Sequence, residues 1–402
     1  MNKTPKAPYT FRWLENISAI DESAWNELAK PLATPFLEWQ WLHLMEASGS
    51  TTAKTGWMPH HLTVWSGRAL VAAAPLYIKG HSAGEFVFDN VWADVALQLG
   101  IDYYPKLVGM SPFTPIAGYR FLMAPGVNEE RLTELMIREI DGLCERFRLS
   151  GCSFLFTDPF WRNQLSRYQF SSWMHQSYIW QNNGYLTFED YLLQFNSNQR
   201  RNIKRERNFM EKQGITLKVY AGDQIPREFI PRMYTFYAKT NDKFGPWSCK
   251  YLNYSFFNGL YDHYRHRLVL VAAFDNRDRP ELPQGLSLLV TKGDRIYGRY
   301  WGCSRNMNAL HFNACYYSPI EWAIAQGLNS FDPGAGGSHK IRRGFSAIPN
   351  YSLHRFSDRR LRQIMQKHID QINLLEQDHI DSLNRQLPFS NHSDLSRSSI
   401  NS

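Results

Sequence analysis

Two stretches of the chain read as coarse copies of one another, and this duplication constrains the fold more than any other feature of the sequence. In the first, residues 61–65 and 69–78 are apolar strands around Ser66-Gly67, and 85–88 alternates as a third. In the second, residues 267–274, 285–291 and 295–301 repeat the pattern around turns at Asp275-Asn276 and Lys292-Gly293-Asp294. Each meander runs into a helix and a short strand. Asn128 caps a helix to about Arg148, stopped by Gly151 and followed by the strand 153–157. Asn308 caps its counterpart to about Gln326, stopped by Gly327 and followed by the strand 328–331. Two such units predict an α/β (α+β) chain of two tandem domains with mixed, mostly antiparallel sheets.

The expected boundaries are 1–180, 181–356, a long C-terminal helix at 357–387 and a disordered Ser/Asn-rich tail at 388–402. Ser357 caps that helix, whose Leu361, Met365, Ile369, Ile372 and Leu375 form one apolar stripe. A bridging helix runs from Ser197 or Asn198 to Gln213, stopped by Gly214. The connection 89–127 is long for a compact domain, and such loops are often functional.

With 43% apolar and 15% aromatic residues among 402, the chain is far from a disordered composition. No uncharged run approaches the roughly 18 residues of a membrane span, and the first thirty residues lack the apolar core of a signal peptide. A cytoplasmic location is expected. The 5 cysteines are scattered without C-x-x-C or zinc spacing, which argues against disulfides and structural zinc. A formal charge of +8 favours anionic partners: nucleic acid, a phosphorylated cofactor, an acidic carrier protein or membrane headgroups.

Three segments carry candidate chemistry. On the bridging helix Arg200, Arg201, Lys204, Arg205 and Arg207 fall within an arc of roughly 160°. That face suits phosphates of a nucleotide-bearing donor, a carrier prosthetic group or RNA; a solvated face is the alternative. The turn Gly302-Cys303-Ser304-Arg305-Asn306-Met307-Asn308 precedes a helix N-terminus and suits a pyrophosphate, without P-loop spacing. The matching helix of the first half opens on Glu129-Glu130, so a phosphorylated donor is expected only in the second. Third, residues 332–344 combine four glycines with His339, Lys340, Arg342 and Arg343, letting backbone approach a ligand beside a titratable imidazole. On the preceding helix His311 and Tyr316 stand five residues apart, on related but not identical faces, with core packing as the alternative for them and for Tyr317. His60-His61 is the weakest candidate.

The order Gly-Trp-x-Pro-His-His-Leu (56–62), His-Ser-x-Gly-Glu-Phe-Val-Phe-Asp (81–89), Tyr-Tyr-Pro-Lys-Leu-Val-Gly-Met-Ser-Pro-Phe-Thr-Pro (103–115), Arg-Arg-Asn-Ile-Lys-Arg-Glu-Arg (200–207), Tyr-Gly-Arg-Tyr-Trp-Gly-Cys (297–303) and Leu-His-Phe-x-Ala-Cys-Tyr-Tyr (310–317) resembles the FemAB-like N-acyltransferases. The likeness spans about 36–356. It implies two GNAT folds with chemistry in the second: transfer of an acyl group, fatty acyl included, from a CoA or acyl-carrier-protein thioester to an amine such as a Lys or ornithine side chain of a peptide, with no metal. His339 is then the base, with Asp332 orienting the amine or serving as alternate base. Tyr316 or Tyr300 is the acid, His311 lies beside them, and backbone N–H groups near Trp301 hold the oxyanion. Gly302, Ser304, Arg305, Arg200, Arg201, Lys204 and Arg205 would hold donor phosphates. Trp301, Phe312 and Phe331 would line an acyl channel, with Lys340, Arg342, Arg343 and Lys106 toward the acceptor. Two carboxylates usual in the family are absent: Gly-Glu-His-Lys reads Gly337-Ser338-His339-Lys340, and His-Phe-Glu reads His311-Phe312-Asn313. One alternative is a FemA-type enzyme using aminoacyl-tRNA on a peptidoglycan precursor or peptide; a second is a non-catalytic peptide or nucleic-acid binding module.

Overall fold

The computed structural model describes residues 9–243, 245 and 249–390. Two compact units divide the chain: residues up to His175 with Asn350–Glu376, and Gln176–Pro349 with the chain from Gln377 on. The chain passes between the units at His175–Gln176, inside the strand Ser346–Phe356 and inside the helix Arg359–Asn384.

The first unit begins with β1 (Tyr9–Leu14), α1 (Glu22–Ala29), α2 (Trp39–Ala47), β2 (Trp57–Pro59), β3 (His61–Ser66), β4 (Ala69–Ala74) and β5 (Tyr77–Lys79). It continues through α3 (Asn90–Gln98), β6 (Lys106–Gly109), β7 (Leu122–Met123), α4 (Glu129–Phe147), β8 (Gly151–Phe154), α5 (Pro159–Leu165) and the start of β9 (Ser171–Gln181). The second unit holds α6 (Phe188–Leu193), α7 (Ser197–Lys212), β10 (Ile215–Ala221), α8 (Phe229–Asp242), α9 (Tyr254–Tyr264), β11 (Leu268–Asp275), β12 (Pro283–Lys292) and β13 (Arg295–Cys303). After these come α10 (Leu310–Phe312), α11 (Ser318–Ala325), β14 (Ser330–Asp332), β15 (Ser346–Phe356) and α12 (Arg359–Asn384).

In the first unit one sheet runs β1-β3-β4-β7, and another runs β2-β5-β6-β8 with Leu353–Phe356 of β15 at its end. In the second, β10-β11-β12-β13-β14 ends on Trp180 and Gln181 of β9. Among the described residues the strand pairs β6·β8 and β13·β14 are parallel, and Tyr119 and Thr157 add an isolated parallel bridge. Strand β11 is buried along its whole length, as its unbroken run from Leu268 to Phe274 demands of a strand covered on both faces. Helix α4 starts where Asn128 accepts the Arg131 N–H, with Glu129 and Glu130 at the positive end of its dipole.

Several expectations are corrected. Residues 85–88 form no strand, because Glu85 turns inward to Lys106. Residues 69–78 are two strands broken at Pro75, whose ring cannot donate to a ladder. The stop of α4 is Arg148 in the left-handed conformation (φ 51°), while Gly151 opens β8. The α7 cap is Asn196, and the Ser357 hydroxyl donates to the Leu149 carbonyl while Asp358 accepts the Arg360 and Leu361 N–H groups. Leu361, Met365 and Ile369 are buried as expected, whereas Leu375 is exposed. Of the expected tail, residues 391–402 lie outside the described residues. Pro388–Ser390 are tied down: the Phe389 ring packs tilted against Phe195, centroids 5.4 Å apart, and the Ser390 hydroxyl donates to the Phe195 carbonyl. Among the described residues no helix is long and apolar enough to cross a membrane.

Candidate active site in the C-terminal unit

Strands β13 and β14 pair only through Arg295–Tyr297 and Ser330–Asp332. Beyond that β13 continues to Cys303, while the chain leaves β14 into the glycine-rich turn. The wedge opens a cavity of about 660 Å³ lined by Gly298–Trp301, His311, Tyr316, His339 and Lys340, among others.

Two local features aim side chains into it. After α10, residues Asn313–Tyr317 form a π-helical turn whose i to i+5 bonding brings His311 and Tyr316 together, their rings 5.3 Å apart. A uniform α-helix, the basis of the sequence reading, would have separated them. Second, Gly337 takes φ 88° and carries the imidazole of His339 against it, where a Cβ would lie 2.4 Å from the ring. Lys340 is buried and donates to the carbonyls of Gly334 (2.7 Å) and Ala335 (3.1 Å), fastening the turn. Asp332 accepts the Gly334 N–H at 2.9 Å. Burial raises the Asp332 carboxyl and lowers the Lys340 ammonium.

The Tyr316 hydroxyl meets His339 Nε2 at 2.9 Å, and the His311 ring is 5.8 Å from that of His339. Both imidazoles are held down at about 4, His339 by burial and then by Arg343 and Lys340, His311 by burial and then by His339, Arg343 and Lys340. They are neutral at pH 7. Burial raises the phenols of Tyr316 and Tyr300, which stay protonated. Arg343 is buried, stacked 3.3 Å over Phe312; it donates to the His339 carbonyl (2.9 Å) and to both Glu206 oxygens (3.1 and 3.0 Å). Glu206 also accepts from Tyr317, and Asn313, where the resemblance leads one to expect a carboxylate, donates to the Glu206 carbonyl at 3.1 Å.

Removing the Arg343 charge should therefore let His339 rise toward its ordinary value. His339 must be neutral to act as a base, so its contribution is present above its own pKa and lost below it. In Arg343→Gln the acid limb of kcat/KM is expected to move to higher pH, with activity falling between about pH 7 and 5 where wild type holds; a limb that stays in place would remove His339 from the reaction.

His339, Tyr316, Tyr300, His311, Trp301 and Lys340 thus converge, with Asp332 beneath the turn. Phe312 packs under Arg343, Phe331 is core beside Phe345, and Arg342 is exposed. The expected donor-phosphate residues do not join them. Arg305 is ion-paired with Asp275, and Ser304 is tied by hydroxyl and N–H to Gln284 at 2.8 Å each. Asn308 is not the cap; Ala309 holds that position in the left-handed conformation (φ 61°). Gly302 is a packing residue, since a Cβ there would lie 2.2 Å from the Phe236 carbonyl oxygen on α8. Gly302→Ala is expected to destabilise by about 1–3 kcal/mol in denaturant titration. On α7, Lys204 pairs with Glu189 and Arg207 with Glu321, so acids of α6 and α11 relieve the crowding that spacing implied, while Arg205 contacts Asn202; Arg200 and Arg201 complete the cationic face away from the cavity lining. Lys106 belongs to the first unit, buried among Glu85 (2.8 Å), Asp89 (2.5 Å) and Ser82 (2.8 Å).

The missed residues are Glu206 and Arg299. Glu206, a lone acid in a run of cations, was a visible anomaly. Arg299 had no signal, because strand alternation cannot show where a residue is inserted.

Two units of this topology, one with its parallel strands splayed beside a His–Tyr pair, make a duplicated mixed α/β protein. The chain belongs to the FemAB-like family, described as peptidoglycan biosynthesis/recognition, whose model matches residues 16–391. In fold it is similar to FemX, at 11% identity over 88% of this chain and 99% of that one (TM-score 0.53). The C-terminal domain assigned to a lysylphosphatidylglycerol synthetase of Agrobacterium fabrum is similar at 8% identity, over 87% and 95% (TM-score 0.53). A conserved Bacteroides thetaiotaomicron protein of unknown function is similar at 8%, over 86% and 99% (TM-score 0.50). Among curated proteins none matches in sequence.

Proposed function

We propose that the second unit transfers an acyl group from a thioester of CoA or a carrier protein to an amine. The observation that carries this is the neutral His339 bonded to the Tyr316 hydroxyl at the mouth of the β13·β14 wedge. The acceptor ammonium must first lose a proton. It passes to the Tyr316 oxygen as the phenol hands its own proton to His339 Nε2. The amine attacks the thioester carbonyl and the C–N bond forms; as the tetrahedral intermediate collapses the C–S bond breaks, the departing thiolate takes the proton held by the imidazolium through the same phenol, and the second proton of the former ammonium leaves to solvent, giving a neutral amide, a free thiol and one released proton. Peptide groups at the bulge of β13, where Arg299 leaves the ladder, are the candidate oxyanion donors.

A second reading, an aminoacyl-tRNA donor, draws support from the cationic face of α7. Native mass spectrometry and thermal shift against CoA, acetyl-CoA, decanoyl-CoA, palmitoyl-CoA and total aminoacyl-tRNA separate the two. Stabilisation that follows the acyl-CoA series supports the thioester; binding of aminoacyl-tRNA with no thioester response overturns it. Tight peptide or RNA binding without turnover on any donor would leave a binding module.

A further inference from the structure

Strand β13 carries one residue more than its partner: Leu288 pairs with Tyr300 and Leu289 with Gly298, so Arg299 has no opposite residue in β12. A bulge of this kind re-aims side chains. Four consecutive residues, Gly298 to Trp301, consequently line the cavity, where a regular strand would present alternate ones. The lining contains two cations, Arg299 and Lys340, and no carboxylate. Lys340 already donates to the carbonyls of Gly334 and Ala335, and Asp332, beneath the turn, accepts the Gly334 N–H. The wall is positively biased around a guanidinium fork, whose N–H groups match the paired oxygens of a carboxylate or phosphate. Arg299 also donates to the Tyr300 hydroxyl at 3.4 Å, and the buried Asp332 carboxyl offsets part of the charge of both cations.

We propose that Arg299 recognises an anionic oxyacid group, carboxylate or phosphate, of the substrate whose reacting centre faces His339. This rests on the transfer reading above and narrows it. The acceptor is an amino acid or a peptide with a free carboxylate near its amine, rather than a plain alkylamine or a lysine inside a protein chain.

The test is calorimetric binding to the full chain using matched probes: L-alanine, L-ornithine and D-alanyl-D-alanine against their C-terminal amides, and acetyl-CoA against S-acetylpantetheine, which lacks phosphate. Wild type is expected to bind the acid of at least one pair about 10-fold or more tightly than the amide. In Arg299→Met that preference disappears while amide binding persists, and Arg299→Lys keeps part of it. If the preference lost is instead that for acetyl-CoA, the oxyacid is the donor's phosphate and the assignment of Arg299 stands. Equal binding within every pair, or a preference untouched by Arg299→Met, overturns it. Should Arg299→Met fail to fold, Arg299→Gln and Arg299→Lys carry the comparison. Binding needs no turnover, so retained Arg299-dependent discrimination without transfer would sink the transferase reading alone.

Discussion

His339→Ala is expected to lower kcat by about 10²–10⁴-fold, the range a positioned general base contributes, with circular dichroism and unfolding midpoint close to wild type. The side chain lies beside Gly337 and bonds Tyr316, and Arg343 grips its carbonyl rather than its ring, so the backbone contact survives truncation. Tyr316→Phe should cost less if the phenol only relays a proton, because water can occupy the relay position. Added imidazole should restore part of the rate in His339→Ala and none in Tyr316→Phe. A rate within about threefold of wild type would move the base elsewhere, and Asp332, the raised carboxyl under the same turn, becomes the residue to replace next.

Lys106→Met should destabilise the protein by about 3–5 kcal/mol, the usual result of removing one partner from a buried ionic cluster. All three ammonium protons are engaged, by Ser82, Glu85 and Asp89, and Tyr103 donates to the same Asp89 oxygen at 2.8 Å. Burial raises Glu85 even with the lysine present, whereas Asp89, against the opposing pull of burial, is kept low by Lys106 and by hydrogen bonds from Lys106, Ser82 and Tyr103. Without the lysine both folded-state values rise above the unfolded ones. Such groups favour the fold when protonated, so the stability deficit of the variant should shrink as pH falls from 7 toward 5 in urea titrations. A deficit below about 1 kcal/mol accompanied by lost acceptor binding would instead restore Lys106 to the acceptor cleft where sequence reasoning placed it.

The duplicated architecture was legible because long apolar runs such as Leu268–Phe274 and the amphipathic α4 carry their period in the residues themselves. Residues 332–344 were legible for a similar reason: a glycine cluster followed by His and Lys has few structural uses. Arg305 and Ser304, expected from the sequence to hold donor phosphates, already have partners in the fold, the Asp275 carboxylate and Gln284, and composition does not show partners distant in sequence. The same blindness hid Glu206, whose counter-charge Arg343 lies 137 residues away. Tyr300, His311 and Tyr316 were proposed from order along the chain, yet their meeting depends on an inserted residue in β13 and an altered helical pitch after Phe312, neither of which has a residue signature.

That altered pitch makes the site tolerant of chain length at this point. Deleting one residue between Phe312 and Tyr316 would let the segment relax to ordinary α-helix, and the His311 and Tyr316 side chains would then stand four positions apart, on one helix face. A helix of unchanged length that lost the wide turn would instead set them about 140° apart. Among homologous chains, then, a one-residue gap here is compatible with the His–Tyr pair, and what would separate the two rings is regular α-helix over the full five-residue spacing.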